Sequence, residues 1–176
     1  LLHSGLKNQK KHDMNSIQRA FLRTPIGFVE VRGSEKGLKS LYFLDFRVRI
    51  HRVPFCLKSC IEQLEEYFSG SRKRFDLPLD MTGTSFQLDV WYEIQKIPYG
   101  TTISYHNLAR RIGHTNALRA VGGANGRNPV SIIIPCHRVV GHDGKLVGYG
   151  GGLWRKKWLL EHENAFAQRD LFYEKV

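Results

Sequence analysis

Cysteine is scarce in this chain: Cys56, Cys60 and Cys136 are the three in 176 residues. An odd, sparse count excludes the disulfide framework of small secreted domains and fits a reducing intracellular compartment. No apolar run approaches the roughly 20 residues of a membrane-spanning helix. No secretory signal is legible in the polar, basic first residues. Internal repeats and low-complexity tracts are missing. Acidic residues are also few, 16 Asp and Glu against 27 Lys and Arg, for a formal net charge of +11. The expectation is a protein of the cytoplasm, or of the nucleus in a eukaryote, with no membrane association. The charge points towards a polyanionic partner, most often nucleic acid; plain solubility is the alternative. Net charge is +6 over residues 1–83 and +5 over 84–176, so charge does not say which half meets the partner.

The hydrophobic content of 41% supplies an ordinary core, and the length suits one compact domain or two small ones. Residues 1–13 read as an arm or an upstream remnant, with Met14 as a candidate start. Residues 14–83 read as an α/β unit ending in a linker, and 84–176 as a second unit. In the first, Ile26 to Arg32 alternates apolar and polar residues as a strand does, and Leu38 to Asp45 returns as its hairpin partner. Arg47 to Arg52 reads as a third, basic edge strand. Pro54 introduces a helix over about Phe55–Phe68, with Leu57, Ile61, Leu64 and Phe68 on one stripe and Ser69-Gly70 at its end. Cys56 and Cys60 lie four apart on it. As metal ligands they need two more donors, and only His51 is near, so they read as ordinary helix cysteines and no metal site is expected.

In the second half Thr84 or Ser85 caps a helix running to about Ile97. Ser104 caps a short helix, Tyr105–Ile112, which Gly113 ends. Asn116 caps a third, from Ala117 to about Ala124. Helix, glycine turn and helix match a helix-turn-helix, although many helical hairpins share that spacing. The content of the last helix is more telling. Arg119-Ala120-Val121-Gly122-Gly123-Ala124 is rich in small residues, and two adjacent glycines cost about 2 kcal/mol of helix propensity relative to alanine. Such a smooth face suits close approach of a DNA backbone or groove, or tight packing within the protein. Asn125 to Pro129 is dense turn chemistry leading into Ser131-Ile132-Ile133-Ile134-Pro135-Cys136-His137-Arg138, where an apolar run reads as a buried strand closed by Pro135. Beyond it come a glycine-rich loop, Gly148-Tyr149-Gly150-Gly151-Gly152, and a final helix from Leu153 to Glu163. That helix is expected to bring Trp154, Trp158, Leu159 and His162 near one another.

A thiol at its free pKa is only slightly ionised at neutral pH, so a nucleophilic Cys136 needs a base or a positive field. His137 and Arg138 offer one of each. Adjacent residues on an extended chain point to opposite faces, so a direct Cys136–His137 bond needs a tight turn or a bridging water. Glu163 is placed to orient His137, as the third member of a triad does. A buried structural cysteine competes evenly with this reading.

Ile134-Pro135-Cys136-His137-Arg138-Val139-Val140 resembles the active-site signature of the O6-alkylguanine-DNA alkyltransferases. Arg119 to Ala124, Asn128-Pro129, Ser104-Tyr105, Tyr149, Gly151-Gly152-Leu153 and Trp158 to Glu163 fit the family pattern in order. The resemblance is strongest over Thr84 to Glu163. It implies a mixed α/β (α+β) fold: a small N-terminal antiparallel sheet with a helix, in an RNase H-like layout, and a mostly helical C-terminal unit carrying the helix-turn-helix and the active cysteine. It implies that Cys136 takes the alkyl group of O6-alkylguanine, and less surely of O4-alkylthymine, irreversibly and once per molecule. His137 is then the base through a water, Glu163 its orienting partner, and Tyr105 the residue that helps protonate the leaving base at N3 and crowds the backbone. Arg119 fills the gap left by the flipped nucleotide, and Asn128 braces the hinge. DNA is bound through the minor groove by Arg119, Ala120, Gly122, Gly123, Tyr105 and Thr102, while Val139, Tyr149 and Gly150 line the base pocket. Carbonyls of Cys136 and Val139 are expected to recognise the exocyclic amine. The implied partner is double-stranded DNA, the implied state a monomer, and no cofactor or metal is called for. Gly150 departs from members that have serine after the lid tyrosine. Rival readings are a non-enzymatic helix-turn-helix regulator or damage-binding protein, and a cysteine hydrolase that turns over.

Overall fold

The computed structural model describes residues 15–173, with side chains to residue 164. The expected arm at residues 1–13 lies outside the described residues. Three antiparallel strands come first: β1 Gln18–Thr24, β2 Gly27–Ser34 and β3 Gly37–Leu44, in that spatial order. The hairpin read from residues 26–45 is β2–β3. β1 has the same alternation, with Ala20, Leu22 and Thr24 buried and Arg19 and Arg23 outward. The third strand is therefore β1, and no strand forms over residues 47–52. The reason is edge competition. The free edge of β3 is already paired, by Pro78 and Asp80 on either side of Leu38 and by Pro129 and Ser131 on either side of Leu41. Residue Ile50 is 51% exposed, so the basic segment has no apolar face to bury.

A 3-10 turn, Phe55–Leu57, leads into α1, Lys58–Ser69. Leu57, Ile61 and Leu64 are buried as their spacing predicts, and Gly70 ends the helix at φ +84°, a left-handed conformation that glycine adopts without a Cβ clash. The helix α2, Ser85–Gln95, starts at Thr84, whose hydroxyl accepts from the Gln87 N–H while the Gln87 side chain accepts from the Thr84 N–H, a reciprocal capping box. A two-residue strand β4, Ile103–Ser104, precedes α3, Tyr105–Arg111, capped by Ser104 as expected. After Gly113 comes α4, Leu118–Gly126. Asn116 does not cap it: Ala117 holds that position with no side-chain bond, because a backbone turn from Ala117 to His114 has taken over the helix entry.

The run Ser131–Ile134 is not a strand. The N–H of Ile133 bonds the carbonyl of Ser131 and that of Ile134 the carbonyl of Val130, with Ile132 at φ +72°. A β-branched residue there stores roughly 1–3 kcal/mol of backbone strain. Full burial of Ile132 and Ile134 in the core compensates that strain and gave the run its strand-like appearance. A 3-10 turn over Cys136–Arg138 follows, then β5, Val139–Val140, parallel to β4. The last helix, α5, spans Leu153–Tyr173, longer than expected. Trp158 and His162 stack on it with centroids 4.9 Å apart. Trp154 stays 56% exposed, against Arg155.

Candidate active site

The turn at Ile132 and the 3-10 turn after it, rather than a strand end, aim Cys136 at a small cavity of about 180 Å³. Asn125, Gly126, Asn128, Tyr149 and Gly150 share its wall, and Tyr42 and Phe43 from β3 complete it. No reading of the sequence assigned the first half a part in this site. Cys136 itself is 4% exposed. Asn128, buried in turn, donates to the Cys136 Sγ at 3.0 Å and to the Ile134 carbonyl at 2.8 Å, and accepts from the Val130 N–H at 3.0 Å. It ties the end of α4 to Cys136.

Burial pushes the Cys136 thiol up, against the Asn128 hydrogen bond and the positive charge of Lys156. The resting thiol is therefore protonated and needs a base. His137 is fully buried, and burial lowers its pKa despite Glu163, so the imidazole is neutral at physiological pH. Its Nε2 lies 2.7 Å from Glu163 Oε1, while Nδ1 is buried with no hydrogen-bond partner among the described residues. A neutral ring bonded to a carboxylate through Nε2 carries its proton there, leaving the Nδ1 lone pair bare. No side-chain hydrogen bond joins Cys136 to the His137 ring directly.

Glu163 is completely buried and surrounded by donors. Oε1 receives His137, the Tyr67 hydroxyl at 2.9 Å and Arg138 Nη2 at 2.9 Å; Oε2 receives Arg138 Nε at 2.9 Å and the Gly100 N–H at 3.2 Å. Burial alone pushes this carboxyl up, but His137 and Arg138 outweigh it and hold it well below the usual carboxylate range. Arg138 also donates to the Ile97 carbonyl at 2.6 Å. Its charge is thus engaged with Glu163, and it does not face the thiol as a free cation.

Lys156 was not anticipated, because one lysine in a helix that also holds Arg155 and Lys157 carries no signal. Its ammonium is buried, 2.7 Å from the Val139 carbonyl and 2.9 Å from that of Val147, and burial pushes it down to about 8. The Val139 carbonyl expected to read the base therefore already holds one donor; its second lone pair is available. The Tyr105 hydroxyl, at the start of α3, accepts from Asn125 Nδ2 at 3.2 Å.

The surface of α4 is as smooth as its sequence suggests. Arg119 and Ala120 are exposed, Gly122 and Gly123 half-buried. A Cβ at Gly122 would come within 3.9 Å of the Tyr105 ring. Arg119, Ala120 and Gly123 border an open groove of about 580 Å³, which Arg127 also lines. Thr102 is exposed ahead of α3. The loop over the cavity is fixed by Arg155, whose guanidinium donates to the carbonyls of Gly151 and Ile26 and pairs with Asp45. Gly151 sits so close to Phe43 that a Cβ would meet it at 2.5 Å; at Gly150 the nearest atom is 3.7 Å away. In the first half Cys60 is buried, with its thiol pushed up to about 12 by desolvation, and Cys56 is half-buried. Among the described residues no three His, Cys, Asp or Glu side chains gather as metal ligands would, and no helix is long and apolar enough to cross a membrane.

Fold and site together define a class: a helix-turn-helix protein in which a buried cysteine, Cys136, shares a cavity with the end of the second helix. Comparison with known proteins narrows it. Residues 17–81 match the family described as 6-O-methylguanine DNA methyltransferase, ribonuclease-like domain, and residues 85–165 match its DNA binding domain. A methylated-DNA–protein-cysteine methyltransferase of Methanosarcina barkeri is 48% identical over 149 residues, covering 81% of this chain and 94% of that protein. One from Mycobacterium tuberculosis is 45% identical over 153 residues, covering 84% and 93%. The crystal structure of the M. tuberculosis O6-methylguanine methyltransferase superposes with a TM-score of 0.77 at 42% identity, over 85% of this chain and 94% of that one. A structure of the M. tuberculosis protein in complex with DNA superposes at 0.78, with 45% identity over 84% and 93%. The chain belongs to the 6-O-methylguanine DNA methyltransferase family.

Proposed function

We propose that the protein repairs DNA by direct reversal, with Cys136 as the acceptor of the alkyl group from O6-alkylguanine and, secondarily, from O4-alkylthymine. As a member of its family it is a methylated-DNA–protein-cysteine methyltransferase, and DNA is its partner. The smooth face of α4 enters the minor groove, where small side chains let the helix backbone approach closely and Arg119 reaches between the bases. The damaged nucleotide rotates out of the stack, at a cost of a few kcal/mol, and Arg119 takes its place. Tyr105 and Thr102 contact the backbone beside it, and the base enters the Cys136 cavity under Tyr149 and Gly150. His137 Nδ1 takes the thiol proton through a water. The thiolate then attacks the alkyl carbon, forming an S–C bond as the C–O6 bond breaks with its electron pair going to the base. Tyr105 helps protonate the base at N3, so that neutral guanine departs. The thioether is unactivated, its thiolate a poor leaving group for the reverse step, and each molecule, acting as a monomer, reacts once.

The observation that supports this reading is the Cys136 thiol in a cavity walled by the end of α4, next in sequence to a histidine whose Nε2 is bonded to the buried Glu163. A helix-turn-helix regulator needs no thiol in that place. The test is intact mass after incubation with duplex DNA containing O6-methylguanine. One methyl, a gain of about 14 Da, is expected on Cys136. Cys136→Ala is expected to bind the DNA and stay unmodified. An unmodified wild-type chain, or release of product over many turnovers, would refute the proposal.

A further inference from the structure

The hydroxyl of Tyr67 comes from α1, 96 residues before Glu163 in sequence, and reaches the same oxygen that orients His137. Its ring is fully buried and held on several sides. Phe68 and His162 pack edge-on at 5.3 Å, Phe75 at 5.4 Å, and Tyr99 at 6.2 Å. His162 of α5 also bonds the Tyr67 backbone carbonyl at 2.8 Å. Such a ring has little freedom to turn its hydroxyl elsewhere. An apolar ring of the same shape would pack equally well, so the hydroxyl is surplus to packing, and burying it calls for an acceptor. That acceptor is Glu163 Oε1, which already receives His137 and Arg138.

We propose that Tyr67 is a positioning residue for alkyl transfer: its hydroxyl locks the Glu163 carboxylate and so sets how readily His137 takes the thiol proton. The inference rests on the reading of Cys136 as acceptor and His137 as its base. It gives the first half of the chain a part in the chemistry that support alone does not require. The physical sense is direct. The donated hydrogen places a partial positive charge beside Oε1 and draws density from the oxygen that faces His137. With it, Glu163 holds an imidazolium less strongly; without it, more strongly. The other groups facing this centre are Arg138 on the same turn as His137, Lys156 on α5, the Cys136 thiol, and Tyr99 against Arg138 and Tyr67. All of them remain in a Tyr67→Phe protein, so the change isolates one hydrogen bond.

The experiment follows methyl transfer from O6-methylguanine DNA across pH, in the full chain, for wild type and Tyr67→Phe. It is paired with an NMR titration of the His137 ring. Expected for Tyr67→Phe are a rise of about half a unit or more in the His137 midpoint, and an acid limb of the rate displaced upward by the same amount. DNA affinity is expected to stay within about twofold, since Tyr67 is buried away from solvent. Replacing Tyr67 by 3-fluorotyrosine, a more acidic and stronger donor, should move both quantities the other way, and it keeps the test open if the phenylalanine variant folds poorly. A lower plateau or melting temperature with an unmoved midpoint would mean a structural role only and would overturn the proposal. If wild type takes up no methyl, the functional reading has failed, and the His137 titration alone still decides whether Tyr67 tunes the ring.

Discussion

Glu163→Gln should unfold the protein's centre more than it disturbs any surface. Among the described residues the carboxylate is the only anion paired with Arg138, whose side chain is 7% exposed and makes two of its three hydrogen bonds there to it. Glutamine keeps one acceptor and turns the other towards the arginine as a donor. Removing one partner of a buried ion pair costs about 3–5 kcal/mol, because the other charge stays buried and uncompensated. That is a large share of a typical total of about 5–15 kcal/mol. In urea, with a slope of about 2 kcal/mol per molar, the midpoint should fall by about 1.5–2.5 M, followed by the fluorescence of Trp91 and Trp158. The pH dependence has a defined sign. The folded carboxyl is depressed, so its stabilisation is fully present above the ordinary glutamate value of about 4.3. It is lost as pH falls through the folded value. The gap between wild type and Glu163→Gln should therefore be widest near neutrality and narrow on acidification. Arg138→Met combined with Glu163→Gln should recover part of the loss, since no bare charge is left. A single-variant loss below about 1 kcal/mol, or a gap independent of pH, would refute the assignment of Glu163 as a paired anion.

Other consequences follow from the same geometry. Arg119→Ala should slow repair of duplex DNA about tenfold or more while leaving reaction with free O6-alkylguanine base unchanged, because only the duplex requires a nucleotide to be replaced; equal effects in single-turnover assays would remove that role. Gly150→Ser should leave the methyl-transfer rate within about threefold, as its Cβ has ordinary contacts, whereas Gly151→Ala drives a methyl into Phe43 and should cost about 1–3 kcal/mol, read as a lowered melting temperature. Asn128→Ala strands the Val130 N–H and removes the donor to the thiol, while the Ile134 carbonyl keeps the Cys136 N–H; it should cost about 1–3 kcal/mol together with most of the transfer rate.

Local signals were legible where local physics decides. Thr84 and Ser104 cap the helices expected of them, Leu57, Ile61 and Leu64 face the core, and Gly122 and Gly123 lie on a smooth helix. What failed was decided by distant partners. The strand expected at residues 47–52 lost its place because residues 78–80 and 129–131 occupy the edge of β3. Three isoleucines in a row have the hydropathy of a strand, and only the packing around them explains a left-handed Ile132. Neighbouring sequence marked Cys136, His137 and Glu163 as a group. Nothing in it marked Tyr42, Phe43 or Tyr67, because a tyrosine in an apolar stripe looks the same whether or not its hydroxyl has a task.

The contacts that close the site span long stretches of chain: Arg155 to Ile26 across 129 residues, Arg155 to Asp45 across 110, and Tyr67 to Glu163 across 96. Such separations slow folding, since loop closure precedes any reward from the contact. They also bind the two halves into one kinetic unit. Loss of the sheet and loss of the reactive thiol environment should occur with the same rate constant during unfolding, so a stopped-flow signal from α1 and the labelling of Cys136 by a thiol reagent should superimpose in time.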